Sequence, residues 1–294
     1  YAIIYLSPIF MRLQRVINIS RPRFWIYEFG PYIIGILAAV FALWYHTISF
    51  DWIRISIFAL YFLIPANIRI YGINDIYDYE TDKLNPKKQW YEALVEPKEH
   101  KKLWLWIFLT TLPFVFFLPF TSAALIAFLL FLFFSGQYSA KPIRAKWIPI
   151  LDTIFSAGHY IATAAFAFVL VAPAASINWK YIAAGIVRAM AMHAFSAVPD
   201  IQADKDGKVD TVATLLGEKS TIVFCLLLYI AAGILTYSFG WRYTAILSGV
   251  YALLMIVSLM LHDKKKLFAI YKRFPFVNTL SGMLIFLFLL RQVI

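Results

Sequence analysis

The residues best suited to chemistry form two acidic clusters, Asn74-Asp75-Ile76-Tyr77-Asp78-Tyr79-Glu80-Thr81-Asp82 and, about 120 residues on, Asp200-Ile201-Gln202-Ala203-Asp204. Each places carboxylates at i, i+4, so on a helix or its last turn they share one face. Each also follows a long apolar run. Carboxylates at a helix C-terminus are badly placed, because the helix dipole adds negative charge there. Crowding adds repulsion of about 1 kcal/mol per close pair even in fairly polar surroundings. Mg2+ offsets both, since it binds through one or two carboxylates plus substrate phosphates and keeps its remaining waters. Two such clusters can therefore hold divalent cations that in turn hold a diphosphate. The competing reading is a solvated loop whose acids pair with Lys83, Lys87 and Lys88. Two matched clusters in equivalent loops of a nonpolar chain weigh against it.

The elements that must position these acids are apolar. The chain has 294 residues, 62% of them hydrophobic and 15% charged, with a mean hydropathy of +0.73. That is too apolar for a soluble domain and predicts an all-α polytopic membrane protein. A single cysteine, Cys225, excludes a disulfide framework and a Cys-rich metal site. The net charge of +11 does not indicate nucleic acid. Its basic residues lie in short loops between apolar spans, where anionic lipid headgroups and topology rules act. No Ser-His-Asp arrangement, phosphate-cradling Gly-rich loop or His-Cys metal spacing suggests another reaction.

Hydropathy predicts nine transmembrane helices, about Phe24–Trp44, Trp52–Asn74, Leu103–Leu118, Ser122–Tyr138, Trp147–Val171, Trp179–Val198, Thr221–Phe239, Tyr243–Leu261 and Phe276–Leu290. Ser20-Arg21-Pro22 reads as the start of the first. Residues 1–10 are apolar but too few to cross a bilayer, and Arg12 and Arg15 follow rather than precede them, which argues against a signal peptide. With the N-terminus inside, 21 of the 27 Lys and Arg fall on one face and four on the other. That asymmetry predicts a cytoplasmic N-terminus and puts both acidic clusters on the cytoplasmic side. The whole chain, 1–294, is expected to be one transmembrane domain, with residues 1–23 an N-terminal interfacial segment and 75–102 and 199–220 cytoplasmic active-site loops. Glu92, Glu96, Lys98 and Glu99 can form a short amphipathic lid helix or a solvated linker. Arg69 and Arg188 sit within spans and need partners or a wet cavity. Arg69 can reach a diphosphate or serve structural pairing. His159 and His193 can assist proton removal, although a packing role is the plainer reading.

The pattern Asn74-Asp75-x-x-Asp78-x-x-x-Asp82, then Asp200-x-x-x-Asp204 four spans later, resembles the paired aspartate-rich motifs of the UbiA superfamily of intramembrane prenyltransferases. Ser20-Arg21-Pro22 and Tyr138-Ser139-x-x-Pro142-x-Arg144-x-Lys146 fall where that family has them, so the resemblance covers essentially the whole chain. It implies a helical bundle around a central cavity, bound Mg2+, and transfer of an isoprenyl group from its diphosphate to a lipophilic acceptor from the membrane lipid. By resemblance Asn74, Asp78, Asp82, Asp200 and Asp204 are Mg2+-diphosphate ligands, with Asp75 an adjunct. Arg21, Tyr138, Lys141, Arg144 and Lys146 are candidate diphosphate contacts. The wording from Tyr71 to Asp82, Asn85-Pro86-Lys87-Lys88, and His193 to Asp204 followed by Asp210-Thr211 is most similar to the lycopene elongases. One departure is visible. Gly207 is followed by Lys208, which shifts that loop's flexible point by one.

Such transfer proceeds by ionisation. Metals and basic side chains stabilise the departing diphosphate, and the allylic cation left behind needs a dry cavity. Aromatic faces suit it, at about 0.5–2 kcal/mol per cation–π contact; Tyr71, Tyr77 and Tyr138 lie near the motifs. The expected donor is dimethylallyl diphosphate, and the favoured acceptor is lycopene or a related carotenoid, with or without hydration. An aromatic quinone precursor or a glycerol lipid is the alternative acceptor. A cation-coupled transporter is the alternative of another class, but its site would lie near the bilayer midplane at broken helices.

Overall fold

The computed structural model describes residues 11–43, 50–83, 88, 92–237, 242–261 and 263–293. The described chain is all helical, with no strand among these residues. A short helix, α1 (Leu13–Ile19), leads through a 3-10 turn at Pro22–Phe24 into α2 (Ile26–Ala42). Next come α3 (Trp52–Leu63), α4 (Pro65–Tyr77), α5 (Tyr79–Asp82), α6 (Pro97–Val115), α7 (Ser122–Gln137) and α8 (Leu151–Val169). The second half holds α9 (Trp179–Ala197), the short α10 (Ile201–Asp206) and α11 (Val212–Leu216), then α12 (Glu218–Tyr237), α13 (Arg242–Met260) and α14 (Lys264–Val293).

Local signals set many of these boundaries. Asp51, Thr121 and Asn178 accept backbone N–H bonds at the starts of α3, α7 and α9. Glu96 and Glu99 form a capping box on α6, with Pro97 in its first turn. Those acids therefore start a long helix instead of making a separate lid. Residues 84–87 and 89–91, the rest of that loop, lie outside the described residues, as does the segment 1–10.

Six stretches are long and apolar enough to cross a membrane: Pro22–Ala42, Trp52–Tyr77, Trp179–Asp206, Glu218–Tyr237, Arg242–Met260 and Lys265–Arg291. Ser122–Gln137 is apolar but shorter, while α6 opens on charged residues and α8 carries Asp152 and His159. Length and composition thus establish a polytopic membrane protein without fixing the count at nine. Outward faces carry Phe108, Leu129, Leu253 and Met283, as contact with lipid requires.

Two expected spans differ in form. The second is broken at Ile64–Pro65 into α3 and α4, because Pro65 has no N–H to give the preceding turn. Asn67 compensates by donating to the carbonyls of Phe62 and Leu63, at 3.3 and 3.0 Å. The last begins at Lys264, twelve residues before Phe276, and runs on through Pro275.

Phe58, Tyr61, Phe62, Phe128, Phe131 and Phe166 pack α3, α7 and α8 ring against ring into one core. A second core of Phe195, Tyr229, Tyr251, Met255 and Phe274 joins α9, α12, α13 and α14. Between α2, α8, α9, α12, α13 and α14 lies an apolar cavity of about 620 Å³.

Candidate active site

The break at Pro65 starts α4, whose last turn carries Asn74 and Asp75 and whose cap is Asp78. Asp75 is almost fully buried. Its Oδ1 accepts from Arg21 Nη2 at 2.8 Å and from Lys88 Nζ at 2.7 Å. Lys88 also reaches Asp82 Oδ2 at 2.8 Å, so one ammonium bridges two carboxylates. Asp78 is paired with Arg144, at 3.3 Å, and with Lys146. Arg144 donates further to the Tyr77 carbonyl at 2.8 Å and lies over the Trp147 ring. Glu92 completes the ring of charges on Arg21, at 3.1 Å, and on Arg23.

The basic loop after α7 folds onto these acids. Backbone bonds from Arg144 N to Ala140 O and from Lys146 N to Tyr138 O, both 2.9 Å, close it on itself. Asn74 Nδ2 donates to Ser139 Oγ at 3.3 Å. Tyr138 stands edge-on to His193 of α9. Lys141 is exposed, which separates it from the buried or half-buried Arg21, Tyr138, Arg144 and Lys146.

Lys146, held by Asp78, also feels the charge of the second cluster. Burial and the nearby Arg21 push its ammonium down to about 7, while Asp75 and Asp204 pull the other way. Tyr138 lies in the field of Asp204 as well. Charge from loop 199–220 therefore reaches the same basic side chain that Asp78 holds. Burial raises Asp82 above the usual carboxylate range, against the pull of Lys88. Burial would lower Arg21, but Asp75 and Glu92 together raise it.

Asp200 ends a 3-10 turn and Asp204 lies in α10; both are half-buried. After them Gly207 has an ordinary φ of −80° and Lys208 takes the left-handed conformation, φ 55°. The loop's left-handed point therefore does not move to Gly207, as the sequence reading expected: it falls on Lys208, a residue with a side chain, and only the glycine is displaced.

Among the described residues no three His, Cys, Asp or Glu side chains converge as a ready metal cluster. The donors nevertheless fit a hard divalent ion, being oxygen throughout. The Lys88 ammonium, held between Asp75 and Asp82, already occupies the position of a cation between carboxylates. The solvated-loop reading is met in part: Lys83 pairs with Glu80 in an exposed contact, whereas Lys88 pairs with Asp75 and Asp82 but is buried rather than solvated. Lys87 lies outside the described residues.

Sequence reasoning paired Lys88 with the acids only in the solvated-loop reading, gave Glu92 to a lid or linker, and missed Glu28 altogether. Glu28, on α2, is buried against His159 and Thr163 of α8. Its signal was an acid inside an apolar span. Arg69 turns out to be structural: it donates to Leu132 O at 2.9 Å and Ser135 Oγ at 3.3 Å on α7. Arg188 donates to Ser248 Oγ at 3.4 Å and lies over Tyr251, on the wall of the large cavity.

The UbiA prenyltransferase family model matches residues 32–289. The chain belongs to the UbiA prenyltransferase family. As a UbiA protein it is an integral membrane prenyltransferase. It is 32% identical to a lycopene elongase/hydratase of Haloarcula japonica over 92% of this chain and 89% of that protein. A lycopene elongase/hydratase of Haloferax volcanii is 32% identical over 93% of this chain and 88% of that one. Among solved structures, an apo UbiA homolog from Aeropyrum pernix K1 superimposes with a TM-score of 0.69 at 17% identity, over 90% of this chain and 96% of its own. A UbiA homolog from Archaeoglobus fulgidus bound to DMAPP and Mg2+ gives 0.65 at 17%, over 92% and 99%. At such identities the likeness is one of fold.

Proposed function

We propose that this UbiA enzyme moves a C5 dimethylallyl group from its diphosphate to the end of lycopene or a related carotenoid. The observation that carries the reading is adjacency: a buried charged site borders a pocket walled by tyrosines, and that pocket shares Tyr27 and Tyr160 with an apolar cavity of about 620 Å³. The curated relatives are named for lycopene elongation and hydration, and the Archaeoglobus fulgidus neighbour holds DMAPP and Mg2+. Both support the choice of substrates.

Asn74, Asp78, Asp82, Asp200 and Asp204, with Asp75 beside them, would hold Mg2+. The ion supplies positive charge to a departing diphosphate. Arg21, Arg144 and Lys146 bind and orient that diphosphate, because they are the cations already gathered over the aspartates. As the donor's C–O bond breaks, the diphosphate leaves with the electron pair. Tyr71 and Tyr138 offer faces to the allylic cation. The π pair of the acceptor's terminal alkene then forms the new C–C bond and leaves a tertiary cation on the acceptor. The N-terminus and both acidic loops lie on the cytoplasmic side in this reading, as the charge asymmetry supports.

The test is purified protein in detergent with Mg2+, dimethylallyl diphosphate and lycopene, with the pigment analysed by mass. A gain of one or two C5 units, lost on chelation, is expected. Unchanged lycopene, with diphosphate released only when quinone precursors or glycerol lipids are offered, would move the assignment to those acceptors. No diphosphate release from dimethylallyl diphosphate with any acceptor offered would overturn the choice of donor.

A further inference from the structure

A second pocket, of about 150 Å³ and with several polar side chains in its wall, lies against the charged site, where Tyr71, which meets the Arg21 guanidinium at 4.7 Å, and Tyr138 form part of that wall. Tyr27 and Tyr160 line both this pocket and the large apolar cavity, so it sits between donor and acceptor. Glu28 and His159 face it together. Glu28 is 1% exposed. Its Oε1 lies 2.5 Å from His159 Nδ1, and its Oε2 accepts from Thr163 Oγ1 at 2.8 Å. Ser156, His159 and Thr163 share one face of α8 by their spacing.

The seam that holds this pair is close. A Cβ at Gly35, seven residues from Glu28 on the same face of α2, would lie 2.2 Å from the Ala164 carbonyl oxygen on α8. An ionisable pair inside membrane spans is expensive and marks function by default. With Nδ1 engaged by the carboxylate, the tautomer is set and Nε2 is the nitrogen left to meet a ligand. Nε2 makes no hydrogen bond among the described residues.

We propose that His159, oriented by Glu28, holds a water molecule in this pocket and takes its proton as the oxygen adds to the tertiary cation on the acceptor. The proposal rests on the prenyl transfer to an alkene end argued above. A water lone pair forms the C–O bond. The O–H bond breaks, its electrons stay on oxygen, and its proton goes to Nε2. The product is a tertiary alcohol and the imidazolium is stabilised by Glu28. The pocket has room for such a water and the polar partners that a bound water needs, His159 and Ser156 among them. The other titratable groups facing it are Tyr27, Tyr71, Tyr138, Tyr160 and His193. Without a held water the same cation would lose a proton from the neighbouring carbon and give an alkene. His159 is then a catalytic base and Glu28 a positioning residue.

The experiment compares wild type with His159→Phe, Glu28→Gln and the milder Thr163→Val in H218O. It reads the ratio of labelled alcohol to alkene among elongated carotenoids, diphosphate release and donor affinity. The ratio is expected to fall about tenfold or more in the first two variants and less in Thr163→Val, well beyond any fall in diphosphate release or donor affinity. A merely structural role would lower all three readouts together. Unchanged ratios in the variants, or a wild-type product that is wholly alkene, overturn the proposal while leaving elongation intact. A wild type that releases diphosphate but never elongates lycopene removes the acceptor reading, and this proposal with it.

Discussion

The two acidic clusters share a spacing and differ in their surroundings. The first is buried and already neutralised: Asp75, Asp78 and Asp82 are held by Arg21, Lys88, Arg144 and Lys146, donors drawn from three other parts of the chain. The second sits half-buried, with Asp200 at the end of a 3-10 turn and Asp204 on the six-residue α10. A buried carboxylate must be paired in the folded protein, so the first cluster serves the fold as well as the ligand. A half-buried one keeps part of its hydration and depends less on a protein partner for its charge. The same spacing therefore weighs more on the fold in the first cluster than in the second.

The largest effect that separates them comes from removing one acid from each. Asp78→Ala and Asp204→Ala are both expected to cut Mg2+-dependent turnover by about a hundredfold or more. Asp78→Ala should in addition lower stability by about 3 kcal/mol, because Arg144 and Lys146 lose a buried partner, whereas Asp204→Ala should stay within about 1 kcal/mol. Thermal unfolding in detergent, run beside the assay, checks the pair. Turnover intact in both variants would dissolve the shared site.

Lys88→Met tests the first cluster from its cation. Losing a buried partner to both Asp75 and Asp82 should destabilise the protein by about 3–5 kcal/mol. Added Mg2+ should raise its melting temperature more than it raises that of wild type. An equal gain would mean that the ammonium does not stand where a cation binds. Arg69→Ala, close to the cluster yet bonded only to α7, should cost about 2 kcal/mol and leave donor affinity unchanged. Weakened donor binding would return Arg69 to the site. Lys208→Gly, in the second loop, should gain about 1 kcal/mol by relieving a left-handed residue, visible as a small rise in melting temperature.

Much of this was legible in the chain itself, and the illegible parts have physical reasons. Long apolar runs mark membrane helices whatever their neighbours, so most helices lie where hydropathy puts them. A hydropathy average does not register a missing N–H, and so it passed over the break at Pro65. Nor does it follow a helix into the headgroup region, which hid the start of α14 among Lys264, Lys265 and Lys266. The aspartates were visible because i, i+4 spacing is local. Their partners were not. Arg21 lies 54 residues from Asp75, and Glu28 lies 131 from His159. Only the packing of α2 against α8 reveals the second pairing.

The central claim is that both clusters bind one diphosphate, and a double-mutant cycle on donor binding tests it most directly. Calorimetric titration of Mg2+-dimethylallyl diphosphate into wild type, Asp82→Asn, Asp204→Asn and the double variant yields the coupling. A shared site predicts that the second substitution costs at least about tenfold less affinity once the first is made, a coupling of about 1.4 kcal/mol. Additive losses within about 0.3 kcal/mol would contradict it and leave two separate acidic loops.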